Sequence, residues 1–249
     1  MRAYCTLVMR ELGTYFKSWT GYVVIAAVLW MLGLSFLNLI YGLNNAATDR
    51  PATELFFSTL YFWLVLLLVA PLMTMRSFAQ EKFTGTFEAL MTTPVGDLQV
   101  VLAKFSGALL FHIIAWLPPM AYLFILRALS SDPYVLESGA LIGTYLGIVL
   151  LGAMFLSIGC FTSSVTRSQV IAAVGSFALS VLLFFLSFLS LVVPGGGWRG
   201  QAMSYLGLVE HMEDFASGVL DTRPVILYLS VTALFLCLTF KVVESRRWK

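Results

Sequence analysis

Residues 75–107, MRSFAQEKFTGTFEALMTTPVGDLQVVLAKFSG, form a charged, partly amphipathic segment held between two long apolar runs. Within it Phe83, Phe87, Leu90 and Met91 recur at i, i+4, i+7 and i+8, which predicts a short helix with one apolar face. Glu81, Gly85 and Glu88 line the other side, Pro94 stops the helix, and Lys104 stands just before the next apolar run. A helix half sunk among lipid headgroups and half presented to water is suited to receive a push from a soluble partner.

The flanking runs set the class. The chain has 249 residues, 59% of them hydrophobic and only 11% charged, with a mean hydropathy of +0.90. A soluble domain of this length cannot hide so much apolar surface, so most of it must face lipid or other membrane helices. Six runs are long enough to cross a hydrocarbon core of roughly 30 Å. They are Tyr22–Leu43, Leu55–Met75, Val101–Leu126, Ala140–Phe161, Val170–Val193 and Val225–Val243. The expected fold is an all-α integral membrane protein, with residues 1–249 as one transmembrane domain. The residues before the first run include Arg10, Glu11 and Lys17, and no small-residue cleavage site follows it, so no cleaved signal peptide is expected.

Basic residues in the loops predict orientation. With both termini on one side, that side carries eleven Lys and Arg residues and the other carries four, Arg50, Arg127, Arg199 and Arg223. This bias places both termini in the cytoplasm. A net charge of +2 gives no footprint for nucleic acid. Cys5, Cys160 and Cys237 lie in or beside the spans, with no pair spaced for zinc and none in an outer loop, and read as small packing residues.

Outside the spans, Tyr4, Val8, Leu12, Tyr15 and Trp19 make an apolar stripe opposite Arg10, Gly13, Thr14 and Lys17. That pattern predicts an N-terminal helix lying at the cytoplasmic interface. After the Pro194-Gly195-Gly196-Gly197 break, Tyr205, Leu208, Met212, Phe215 and Val219 repeat at helical spacing and predict a second interfacial helix, before the last span. The turn Ser163–Ser168 is short enough to make the fourth and fifth spans an antiparallel hairpin.

Little inside the spans offers chemistry. His112 reads as an interhelical hydrogen bond before it reads as a proton relay, and Asn38 likewise. Ser176 with His112 lacks both a third group and a G-x-S-x-G frame. Pro118 and Pro119 predict a kink in the third span. His211 and Asp214 have metal-ligand spacing, but they sit on an acidic helix face that water can solvate. Gly139, Gly143 and Gly147 allow close helix approach, within the chain or between subunits. No catalytic residue, metal site or bound cofactor is expected, and no P-loop is present. Any uphill movement must draw its energy from another polypeptide. The competing classes are a membrane-embedded enzyme and a passive channel or scramblase.

Arg76–Lys82 (RSFAQEK), Gly85–Val95 (GTFEALMTTPV) and Ala103–Phe105 (AKF) resemble the signature loop of ABC-2 type transporter permeases. The family pattern runs R-x-x-x-x-E-(R/K)-x-x-G-T-x-E-x-L-x-x-x-P-(V/I), then a Gly/Ala-Lys pair at the next span; Ala103 stands where glycine is commoner. Glu210–Arg223 (EHMEDFASGVLDTR) is similar to the branch holding gliding-motility and nitrous-oxide-reductase-maturation permeases. The resemblance implies a six-span subunit of a bacterial plasma-membrane transporter, an exporter by type. It implies pairing with a second permease copy, identical or homologous, and with a dimer of cytosolic ABC ATPases that binds ATP and Mg; an accessory membrane or periplasmic protein is open. It also implies that the segment around Phe78, Glu81, Lys82, Phe83, Phe87, Glu88 and Leu90 is the coupling helix that enters the ATPase, with Glu81 and Glu88 as polar contacts facing the cytosol. By family analogy the second and fifth spans line the substrate path, which here offers Phe56, Tyr61, Ser176, Phe177, Ser180 and Phe184. Aromatic rings with scattered hydroxyls suit an apolar or amphipathic cargo.

Overall fold

Six helices in the computed structural model are long and apolar enough to cross a membrane, and no strand occurs among the described residues, which are 2–45, 52–87, 96–129, 138–188 and 205–245. The chain is an all-α integral membrane protein. Helix α1 (Arg2–Lys17) is the expected amphipathic helix, and a single residue, Ser18, separates it from α2 (Trp19–Asn45), the first span. The second span differs from expectation. The apolar run from Leu55 is broken at Ser58-Thr59, so that α3 (Ala52–Phe57) precedes α4 (Leu60–Thr74). Hydroxyls make that break: Ser35 Oγ on α2 donates to the Phe56 carbonyl at 3.0 Å and lies 2.8 Å from Thr59 Oγ1.

The short helix α5 (Ala79–Thr84) follows, and then α6 (Asp97–Trp116) and α7 (Met120–Leu129), which together form the third span. Pro118 and Pro119 mark the joint, as a proline lacks the N–H a continuous helix needs. The Tyr122 hydroxyl just beyond it donates to the Leu29 carbonyl at 3.0 Å, tying the kinked span to α2.

Helix α8 (Ser138–Val165) is the centre of the fold. Its most apolar stretch is 72% buried, against 17% for α9 (Gln169–Leu186) and for α11 (Thr222–Ser245), which are peripheral. Small residues let neighbours approach α8 closely. A Cβ on Gly143 would collide with the Phe215 carbonyl, and one on Gly147 would lie 3.0 Å from the Phe215 ring and 3.1 Å from Met212 Sδ. Both partners sit on α10 (Leu208–Ala216), so this glycine face packs within the chain. A three-residue turn joins α8 to α9, with Ser168 capping α9 through Ile171 N, and the expected hairpin forms.

The helix before the last span is shorter than the periodicity predicts. Leu208, Met212 and Phe215 are buried, but α10 ends before Gly218 (φ 83°), leaving Tyr205 and Val219 exposed outside it. His112 bonds a neighbouring helix, its Nε2 lying 3.4 Å from the Ile148 carbonyl. His211 Nδ1 lies 3.2 Å from the Tyr228 hydroxyl. Of the cysteines, Cys160 is buried, whereas Cys5 and Cys237 are exposed and do not pack inside. The Pro194–Gly197 break and the end of the fifth span fall outside the described residues.

Candidate functional site

The amphipathic segment between the second and third spans folds as a turn, Met75–Phe78, and then the six residues of α5. Gly85 closes the helix with φ 74°, a left-handed conformation that costs glycine little. A helix this short cannot hold itself in water. Three other elements hold it.

The first is the end of α8. Ser163 Oγ accepts hydrogen bonds from Phe78 N at 3.0 Å and Ala79 N at 3.1 Å, satisfying two donors at the start of α5. The Lys82 ammonium donates to the Ser164 carbonyl and lies 5.3 Å from the Phe87 ring centre. The second is α6, where Lys104 Nζ donates to Glu81 Oε1 at 2.7 Å and to Glu11 Oε1 at 3.1 Å, and lies 5.4 Å from the Phe78 ring centre. The third is α1, which supplies Glu11 and also Arg10, at 2.9 Å from Glu11 and 3.7 Å from Glu81. Two cations and two carboxylates make a neutral cluster. Lys104 is only 2% exposed, a burial that an ammonium tolerates when paired.

Helix α1 is itself fixed. Tyr15 stacks on Phe111 with ring centres 4.6 Å apart, and its hydroxyl donates to the Met73 carbonyl at 3.0 Å. Burial, with help from nearby Cys160 and Glu11, pushes the Tyr15 phenol well above its ordinary range, so it stays protonated as a donor. Tyr4 reaches Ser106 on α6 at 2.7 Å.

The residues singled out in the sequence therefore separate into two groups. Phe78 and Ala79 are fully buried, and Lys82 and Phe87 are each 8% exposed. Glu81 is turned inward to Lys104, not outward to the cytosol as its position on the polar face suggested; its side chain is 21% exposed. Phe83 alone of these apolar residues projects outward, 77% exposed, beside exposed Gln80, Thr84, Gly85 and Thr86. Glu88 and Leu90 lie outside the described residues. Glu11, Arg10 and Ser163 were not singled out as its partners. A lysine among apolar residues, as at Val101–Gly107, is the one sequence signal that could have prompted the search for buried carboxylates.

The six residues suggested for a substrate path do not share one surface. Phe56 is fully buried, edge-on to Phe57 at 4.7 Å. Ser176 and Ser180 are buried on the inner side of α9, one turn apart, and neither hydroxyl has a partner among the described residues. Phe177 is 38% exposed, away from them, while Phe184 packs on Trp63 with ring centres 5.0 Å apart. Tyr61 is half-buried at the start of α4.

No curated protein matches the chain. The family model described as "ABC-2 family transporter protein" matches residues 33–239, from the middle of the first span to the last, and takes in the whole α5 cluster except α1. That match covers well over half the sequence: the chain belongs to the ABC-2 family of transporters, as a multi-pass permease subunit.

Proposed function

We propose that this chain is the membrane subunit of an ATP-driven exporter, and that a separate cytosolic ABC ATPase docks on the tip of α5. One observation carries the reading. A six-residue helix is fixed to α1, α6 and α8 by a neutral ion cluster and buried hydrogen bonds, yet presents an apolar side chain, Phe83, to solvent. An exposed phenylalanine on a rigid mount has the form of an interface anchor. Its attachment to three elements means that displacement of the tip would move α1, α6 and α8 together.

Both termini face the cytoplasm in this reading, supported by the eleven-to-four bias of basic residues. The ATPase supplies the ATP and Mg sites. A second permease copy pairs through the sparsely covered α9, whose Phe177 and Phe185 are 38% and 64% exposed. The aromatic character of that surface favours an apolar or amphipathic cargo. The segment before the last span supports the gliding-motility and nitrous-oxide-reductase-maturation branch.

The test is co-purification of the tagged chain, in mild detergent, with the ATP-binding subunit of its own transporter. Phe83→Ser is expected to leave insertion and folding intact while weakening ATPase association at least tenfold, in keeping with the cost of about 1.4 kcal/mol or more for a lost anchor. Recovery of no ATP-binding subunit with the unaltered chain would overturn the proposal. Undiminished association of Phe83→Ser would remove α5 from it. For orientation, cysteines at Gln80 and Ser168, in a chain freed of Cys5 and Cys237, should resist an impermeant thiol reagent, and one at Gln201 should react.

A further inference from the structure

A pocket of about 390 Å³ opens between α1, the start of α2, the end of α4 and α5. That volume is in the range of sites for small molecules, about 300–1,000 Å³. We propose that it holds the phosphate of an anionic membrane phospholipid, gripped by Arg76, with one acyl chain running along α4. This goes beyond the transport reading and does not depend on it.

Charge comes first. The walls carry Arg10, Arg76, Lys104, Glu11 and Glu81, three cations against two carboxylates. Lys104 is engaged by both carboxylates, and Arg10 pairs with Glu11 at 2.9 Å. Arg76 is different. It is exposed, and its hydrogen bond among the described residues is a 3.5 Å contact to Thr20 Oγ1, at the outer limit for such a bond. A guanidinium held by that one long contact, in a wall that also carries the Thr20 hydroxyl and the Gln80 amide, matches a phosphate's two free oxygens. The surplus positive charge selects an anion over an amine.

Depth and shape then select a lipid. Trp19, 88% exposed, and Tyr22, 58% exposed, stand at the start of α2, which also supplies Thr20 and Val24 to the pocket wall, and such rings mark headgroup level. The pocket is not polar throughout, because Val24, Leu72 and Met73 form an apolar part of its wall. Leu72 is 45% exposed, and Leu68 and Leu64, one and two turns further along α4, are 41% and 36% exposed. Those three leucines form a continuous apolar stripe leading from the phosphate position into the hydrocarbon core. A free phosphate would have no use for it. The ligand would touch α4 and α5 at once, so that lipid occupancy bears on how α5 is held.

The test uses the full chain, purified in a mild non-ionic detergent without any ATPase, so that its failure leaves the transporter reading untouched. Retained phosphatidylglycerol is counted by native mass spectrometry, and a short-chain phosphatidylglycerol is titrated back after delipidation. Arg76→Gln is expected to weaken binding about fivefold, the loss of one basic residue at an anionic surface. Arg76→Lys should recover only part of it, because an ammonium keeps the charge but not the fork, and Arg167→Gln, an exposed cation outside the pocket, should match the unaltered chain. Leu68→Asn should weaken the lipid as well, and inorganic phosphate at millimolar concentration should not displace it. Equal lipid binding by Arg76→Gln would overturn the proposal. So would displacement by inorganic phosphate together with indifference to Leu68→Asn, which would identify a site for a free phosphate.

Discussion

Replacing Lys104 with methionine tests what holds α5 in place. The substitution keeps most of the length of the side chain, but removes the ammonium that two carboxylates share at 2.7 and 3.1 Å and that lies 5.4 Å from the Phe78 ring centre. Glu81 and Glu11 are then left as neighbouring like charges with Arg10 as the remaining cation of the cluster. Removing one partner of a fully buried ion pair costs about 3–5 kcal/mol. Here the two carboxylates keep 21% and 14% exposure, so water screens part of that, and a cost of about 2–3 kcal/mol is expected. Glu81→Gln is milder, because the amide oxygen still accepts from Lys104 and Glu11 still pairs with it; about 1 kcal/mol is expected. The double variant should be more stable than Lys104→Met alone, since one unpaired carboxylate has gone. The loss should appear first as local opening of α5. Lys82 is 8% exposed and lies within that helix, so trypsin cleavage after it reports the open state. Where opening and closing outpace cleavage, 2–3 kcal/mol translates into about 30- to 150-fold faster cutting. A Lys104→Met chain cut at the unaltered rate, or a double variant whose effects simply add, would refute the account of α5 as mounted on this cluster.

Gly147→Leu should unseat α10, because the position has only 3.0 Å to Phe215 and 3.1 Å to Met212; a loss of about 1–3 kcal/mol in thermal unfolding is expected, and none would refute the packing. The His211 imidazole is held below its ordinary titration range by burial, against the opposing pull of Asp214 and Asp221. The unfolded chain therefore takes up that proton first, and stability should be fully present above about pH 6.5 and decline as pH falls below it. Unfolding midpoints from pH 7.5 to 5.5 check this; a decline of the same size in His211→Gln would rule out His211 as its source.

The spans were legible because a membrane imposes length and composition on any helix that crosses it, and α1 because packing on one face imposes a 3.6-residue stripe. The same logic misplaced the end of α5. Phe83 and Phe87 are four residues apart and would share a face of any helix that contained both. The structure ends that helix at Thr84, and Gly85 turns the chain so that Phe83 faces out while Phe87 folds under. Threonines flanking a glycine were the visible warning of a helix end, ahead of the more conspicuous Pro94. The cluster was hidden for a different reason. Glu11, Glu81 and Lys104 are separated by 70 and 23 residues in the chain, and no local period relates them. What was available was the cost of an ammonium in an apolar run, a cost that requires a partner without naming one. Glu81 looked like a free carboxylate on the polar face because only the fold brings Lys104 beneath it. In the proposed function the same geometry shifts the partner contact from Glu81 to Phe83. The acidic residue sets the position of the helix, and the apolar one beside it is left to meet whatever docks there.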